Sequence, residues 1–187
     1  MQRLDALRLA YPDIEDDIVV TIMGAVAAEL HSLGHRRNFF YVQHAMGLAS
    51  SLGLGLALSK SSKRVIIFDG DGSLLMNLGT LSTLAWYAPK NLIHVVFDNE
   101  SLLSVGGFPS ATSAGTDLGG IAQKSGYVHV STVTTVEDFT EAWREARSRL
   151  ALSMIVAKVS TAGPKSFLMD LPLLENRFQF QRWLKEG

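Results

Sequence analysis

At 187 residues, with 47% hydrophobic and 19% charged residues, the chain has the composition of a globular domain with a sizeable core. Its 17 basic and 18 acidic residues leave a net charge of -1, which gives no electrostatic case for nucleic acid or an anionic membrane surface. With no cysteine, a disulfide framework and thiolate chemistry are excluded.

In chain order, the first stretch, "MQRLDALRLAYPDIEDD", carries acids and lacks the apolar centre of an export signal. Asp17–Thr21 then reads as a buried strand, followed by a helix ending at Gly34. Asn38–Val42 is the next strand, and Ala45–Ser59 reads as a helix rich in small residues. This longest apolar stretch is broken by Gly47, Gly53 and Gly55 and is too short to span a bilayer, so a cytoplasmic location is expected. "RVIIFDG" is a strand, and Leu74–Ala88 reads as one helix closed by Pro89. "NLIHVVFDN" is a strand ending at Asn99, and Glu100–Ser113 is polar, glycine-rich and a candidate functional loop. A short helix, a strand, an amphipathic helix from Val136 to Leu150 and a last strand near Ser153–Ser160 complete the pattern. Strands that are continuous apolar runs, alternating with helices, predict an α/β fold: an open parallel sheet with helices on both faces. One domain is expected over residues 1–187. Its apolar tail, from about residue 163, should pack on this chain or on a partner.

The strand at Val65 runs into Asp69-Gly70-Asp71-Gly72. In an open α/β sheet, ligands bind beyond the carboxyl ends of the strands. Glycines there let the backbone turn tightly and approach a ligand, and the helix that follows favours an anion. An acid beside an anion site calls for a cation between them, and a hard ion such as Mg²⁺ takes oxygen ligands shared with phosphates. Asn99, with 26 residues between it and Gly72, leaves room for one helix and one strand, so Asp71 and Asn99 should sit on adjacent strand ends. An EF-hand loop is excluded because Leu74 and Thr80 stand where its glycine and glutamate belong. A dinucleotide fingerprint is poor, because "LGLGLA" lies inside a helix.

GDG, some 26 residues and Asn, together with "AMGLASSLGLGLAL", "NLIHVVFDN" and "SVGGFPSATS", resembles the C-terminal, diphosphate-binding half of the thiamine diphosphate-dependent 2-oxo acid decarboxylases. Within that family the stretches are most similar to those of phosphonopyruvate decarboxylases and sulfopyruvate decarboxylase β subunits. The resemblance implies the thiamine diphosphate-binding fold and a diphosphate- and Mg²⁺-binding domain. It also implies decarboxylation of a 2-oxo acid, with the thiazolium as electron sink. It assigns Mg²⁺ to Asp71, Asn99 and the carbonyl of Ser101, and the diphosphate to Gly70, Gly72 and Ser73, with Gly24 nearby. Met46 would wedge between the cofactor rings. The His44 carbonyl and Met46 amide would bond the pyrimidine, and the His44 side chain is a candidate catalytic group.

The family's activating glutamate comes from a pyrimidine-binding domain for which this chain has no room. A partner subunit carrying it, in an α₂β₂ or larger assembly, is therefore expected, and a homo-oligomer with an unusual activation mechanism is the other reading. Glu29 reads as a solvated or structural residue. Leu102, Leu103 and Phe108 replace polar residues of the family's loop, and no Arg or Lys occurs between Asn91 and Gln123. A basic clamp for a phosphonate or sulfonate would then sit on the partner, or the substrate is less charged. A carboligase subunit and a non-catalytic structural or regulatory relative are the alternatives. His31, His35, His94 and His129 show no metal-ligand spacing. Phe39, Phe40, Trp86, Tyr87 and Trp143 read as core or interface, and the charge run Glu141–Arg149 as a solvated face.

Overall fold

A computed structural model describes residues 1–186. Among these, six strands form one parallel sheet: β1 (Ile18–Ile22), β2 (Phe39–Val42), β3 (Val65–Gly70), β4 (Leu92–Asp98), β7 (His129–Val133) and β8 (Ser153–Lys158), in the order β2-β1-β3-β4-β8-β7. Two short strands, β5 (Ser101–Leu102) and β6 (Phe108–Pro109), pair antiparallel within the loop after β4. β1 and β4 are buried along their whole length, which is why they are unbroken apolar runs. The crossovers send α2 (Ala25–Ser32) and α7 (Val136–Ser148) to one face, with α1 (Arg3–Ala10) beside them. α3 (Ala49–Ser59), α5 (Gly79–Tyr87) and α6 (Leu118–Ser125) cover the other. The chain leaves β1 toward β2 on one side and returns to β3 on the other. The reversal opens a crevice at the carboxyl ends of β1 and β3.

α1 was not foreseen: its buried positions Arg3, Ala6, Leu7 and Ala10 fall at helical spacing. The helix expected from Ala45 begins at Ala49, because His44 (φ 56°) and Gly47 (φ 84°) hold left-handed backbone in the turn before it. The single helix expected over Leu74–Ala88 is two, α4 (Asp71–Leu75) and α5. Asn77 lies between them and donates Nδ2 to the Gly47 carbonyl at 2.9 Å, which ties the break to the His44–Gly47 turn.

Trp143 and Phe39 are core residues, whereas Trp86 is 85% exposed and Tyr87 is also exposed. Arg147, within the charge run of α7, is not solvated: it pairs with buried Asp17 beneath β1. The tail packs on this chain through α8 (Leu173–Glu186). Phe180 packs against Phe40 with the rings tilted by 40° and their centres 5.2 Å apart. Buried Asn176 closes the free edge of β2, donating Nδ2 to the Phe39 carbonyl (2.7 Å) and accepting from the Tyr41 N–H (3.1 Å). Among the described residues no helix is long and apolar enough to cross a membrane.

Candidate active site

The register of the sheet builds the site. Gly70 of β3 lies opposite Phe97 of β4, so the next residues, Asp71 and Asp98, leave the sheet side by side, with Asn99 one step further. The crevice they enter is lined by Met46, Gly70, Asp71, Gly72, Ser73, Asn99 and Ser101. Seven of the nine residues singled out in the sequence thus share one cleft. Gly24 is the N-cap of α2, with φ 83°, and flanks the cleft beside Ser104. His44 is exposed and is not among the lining residues.

Asp71 is 3% exposed. Its Oδ2 accepts from the Ser110 hydroxyl at 2.5 Å and from the Thr112 hydroxyl at 3.2 Å. Thr112 also reaches Asp98 Oδ1 at 2.8 Å. One hydroxyl proton cannot serve both acids at once. Burial pushes the Asp71 carboxyl above the usual carboxylate range; the Ser110 hydroxyl draws it back, and the neighbouring Asp98 pushes it up again. Asp98 has Lys158 as counter-ion at 2.8 Å, and Lys158 also holds Glu100 at 2.8 Å. Partial burial lowers the Lys158 ammonium, but its bonds to the two acids outweigh this and raise it overall. Among the described residues no Lys, Arg or His pairs with Asp71, so this buried acid has no counter-ion.

The other oxygen donors suit a hard cation. Asn99 Oδ1 accepts from the Ser101 N–H at 3.1 Å and retains a second lone pair. The Ser110 N–H donates to the Glu100 carbonyl at 3.1 Å, so Ser101 and Pro109 face each other at a non-hydrogen-bonded position and β6 leaves the Ser101 carbonyl unused. The set is one carboxylate, one amide oxygen and one backbone carbonyl. Among the described residues no group of three or more His, Cys, Asp and Glu forms a metal cluster.

The Ser73 hydroxyl accepts from the Gly47 N–H at 3.0 Å and keeps its own proton to donate. That bond fixes the turn carrying Met46 to the end of β3. A Cβ on Gly72 would run into Leu102 Cδ2, so the loop closes directly on this glycine. Leu102 and Leu103 line the cleft, whereas Phe108 is exposed and packs over Gly106. Glu29 is structural and buried, paired with Arg3. Asp69, fully buried, accepts from the Gly70 N–H at 2.9 Å and lies 3.4 Å from buried His94.

Sequence reasoning missed Asp98, Ser110, Thr112 and Arg3. Ser110 and Thr112 stand in the polar loop after Asn99, which was the signal for them. Arg3 carried no such signal.

The family model described as "Thiamine pyrophosphate enzyme, C-terminal TPP binding domain" matches residues 20–157. The chain belongs to that family. The family's name supports thiamine diphosphate as the cofactor of this domain. The relatives it matches are named as decarboxylases. Sulfopyruvate decarboxylase subunit beta of Methanocaldococcus jannaschii is 36% identical over the whole chain and 98% of the relative. Sulfopyruvate decarboxylase of Methanosarcina acetivorans is 41% identical over 83% of this chain but only 40% of its own length. Phosphonopyruvate decarboxylase of Streptomyces hygroscopicus is 42% identical over 83% of this chain and 35% of its own. The fold of benzoylformate decarboxylase from Polynucleobacter necessarius matches 88% of the chain and 34% of that enzyme, with TM-score 0.70 at 20% identity. The same domain thus occurs as a separate β subunit and as about a third of longer chains, and the subunit naming implies a partner.

Proposed function

We propose that this chain is the diphosphate-binding subunit of a thiamine diphosphate- and Mg²⁺-dependent 2-oxo acid decarboxylase of the sulfopyruvate and phosphonopyruvate type. The observation that carries the reading is the convergence of Asp71, Asn99 and Ser101 on one cleft with Gly72, Ser73 and Met46, around a buried acid with no basic partner. Asp71, Asn99 Oδ1 and the Ser101 carbonyl would hold Mg²⁺. Gly70, Gly72 and the Ser73 hydroxyl would hold the diphosphate, with Gly24 beside it. Met46 and the backbone of His44 would position the pyrimidine. When bound, thiamine diphosphate supplies the electron sink for loss of CO₂. This chain's contribution is to anchor the phosphates, keep Asp71 oriented through Ser110 and Thr112, and balance charge.

The remaining part of the site, the glutamate that activates the pyrimidine, would come from a pyrimidine-binding partner subunit in an α₂β₂ or larger assembly. The test is to purify the chain with its partner and titrate thiamine diphosphate and Mg²⁺ by calorimetry. Saturable, Mg²⁺-dependent binding that Asp71→Ala abolishes is expected, along with CO₂ release from 2-oxo acids by the pair and by neither chain alone. Binding undiminished in Asp71→Ala defeats the proposal. The apolar cleft lining at Leu102 and Leu103 also suits a carboligase. Product analysis with pyruvate and an aldehyde acceptor separates that outcome from simple decarboxylation.

A further inference from the structure

Arg3 is the residue common to two clefts: the one that holds Asp71, and a second bounded by Glu29, Ser32, Ala162 and Gly163. It is 97% buried (3% exposed). One edge of its guanidinium is fully committed. Nε donates to Glu29 Oε2 at 2.8 Å, while Nη2 donates to Glu29 Oε1 at 3.0 Å and to the Ala162 carbonyl at 3.2 Å. Those partners line the second cleft. Nη1 donates to nothing among the described residues. Nor is it sealed in the interior, where the unpaired polar atoms are Ser50 Oγ, Asp69 Oδ2, both His94 ring nitrogens and Tyr127 Oη. Glu29 and Ala162 hold the guanidinium from the side of the second cleft, and Arg3 also lines the Asp71 cleft, which leaves Nη1 as the group it can present there. An N–H pair on a buried guanidinium is a strong donor awaiting an oxyanion.

A second feature meets it there. Ala25 and Val26, the first turn of α2, line the same cleft, and their helix has no side-chain cap because its N-cap is Gly24. The first α2 amide to find an acceptor within the helix is that of Ala28, bonded to the Gly24 carbonyl. Free amides and a guanidinium arm in one place suit a multiply charged tetrahedral anion better than a single carboxylate. Building on the functional reading above, we propose that Arg3, through Nη1, binds the terminal phosphoryl group of thiamine diphosphate. Glu29 and Ala162 act as the brace that aims it.

Arg3→Lys is the sharpest variant, because a lysine keeps the ion pair with Glu29 but has no second arm to offer. The neutral pair Arg3→Gln/Glu29→Gln is the second, and Glu29→Gln alone weakens the brace while retaining Nη1. Each is purified with the partner subunit. Thiamine diphosphate and unphosphorylated thiamine are then titrated by calorimetry in Mg²⁺. Arg3→Lys and the double variant should bind thiamine diphosphate about tenfold or more weakly, with thiamine binding unchanged, and Glu29→Gln, which loosens the brace but keeps Nη1, should fall between them and wild type. Wild-type affinity in Arg3→Lys and the double variant overturns the assignment. So does an equal loss for both ligands, which is the mark of a purely structural role. A higher KM for an anionic 2-oxo acid with unchanged cofactor affinity also overturns it, placing the arm on the substrate. A wild-type complex that ignores thiamine diphosphate fails differently, by removing the functional reading on which this one rests.

Discussion

Among the described residues, Asn176 is the one side chain of α8 that hydrogen-bonds to the backbone of the sheet, so truncating it isolates that part of what the tail does. In Asn176→Ala, the Phe39 carbonyl and the Tyr41 N–H both lose their partner in a buried setting. An unpaired buried group costs about 1–3 kcal/mol, so the two together should cost about 2–6 kcal/mol. For a domain of this size each kcal/mol lowers Tm by about 2–4 °C, which predicts a fall of roughly 4–24 °C. Asn176→Asp retains the acceptor for Tyr41 but gives up the donor to Phe39, and should fall between alanine and wild type. Urea unfolding followed by circular dichroism measures the loss. Amide exchange at Tyr41 in β2 should accelerate in Asn176→Ala before exchange in β1 and β3 is affected. A stability change within about 0.5 kcal/mol, the ordinary range for a surface substitution, would refute the idea that this residue closes the sheet edge.

Thr112→Val removes the hydroxyl shared between Asp71 and Asp98 at almost constant volume. Mg²⁺-dependent cofactor affinity should drop about tenfold through loss of a charge-assisted bond, and calorimetry showing unchanged affinity counts against this. Asp17 gives a pH prediction. Burial raises its carboxyl despite the opposing Arg147, so the folded chain holds this proton more tightly than the unfolded one. Its contribution favours folding at pH below the unfolded carboxylate value and is lost as pH rises through the higher folded value. Asp17→Asn should flatten that slope in urea titrations run across the acid range, and an unaltered slope would show that another group is responsible.

The parallel sheet and the Asp71–Asn99 pair were readable because both are local. β-branched runs mark the strands, and the GDG turn with Asn99 one crossover later marks two neighbouring tips. The polar brace was harder to read. Ser110 and Thr112 look like ordinary loop residues until the loop folds over Asp71, and Asp98 looks like a strand terminus until Lys158 arrives from β8. Arg3 was invisible, because a basic residue near a terminus reads as solvated. Its burial depends on Glu29 and Ala162, 26 and 159 positions away. The helix boundaries at residues 45–49 and 76–78 were misread for a related reason. The sequence there is apolar enough for helix, but the turn is held by Asn77 and Ser73 bonding to Gly47.

The Ala162 carbonyl is one of the points from which the Arg3 guanidinium hangs. A deletion that stops the chain at Ser160, chosen to discard α8 alone, would also slacken that suspension. The trimmed protein would then differ from its parent inside the pocket, and any shortened version made for crystallisation or screening should begin its cut beyond Gly163.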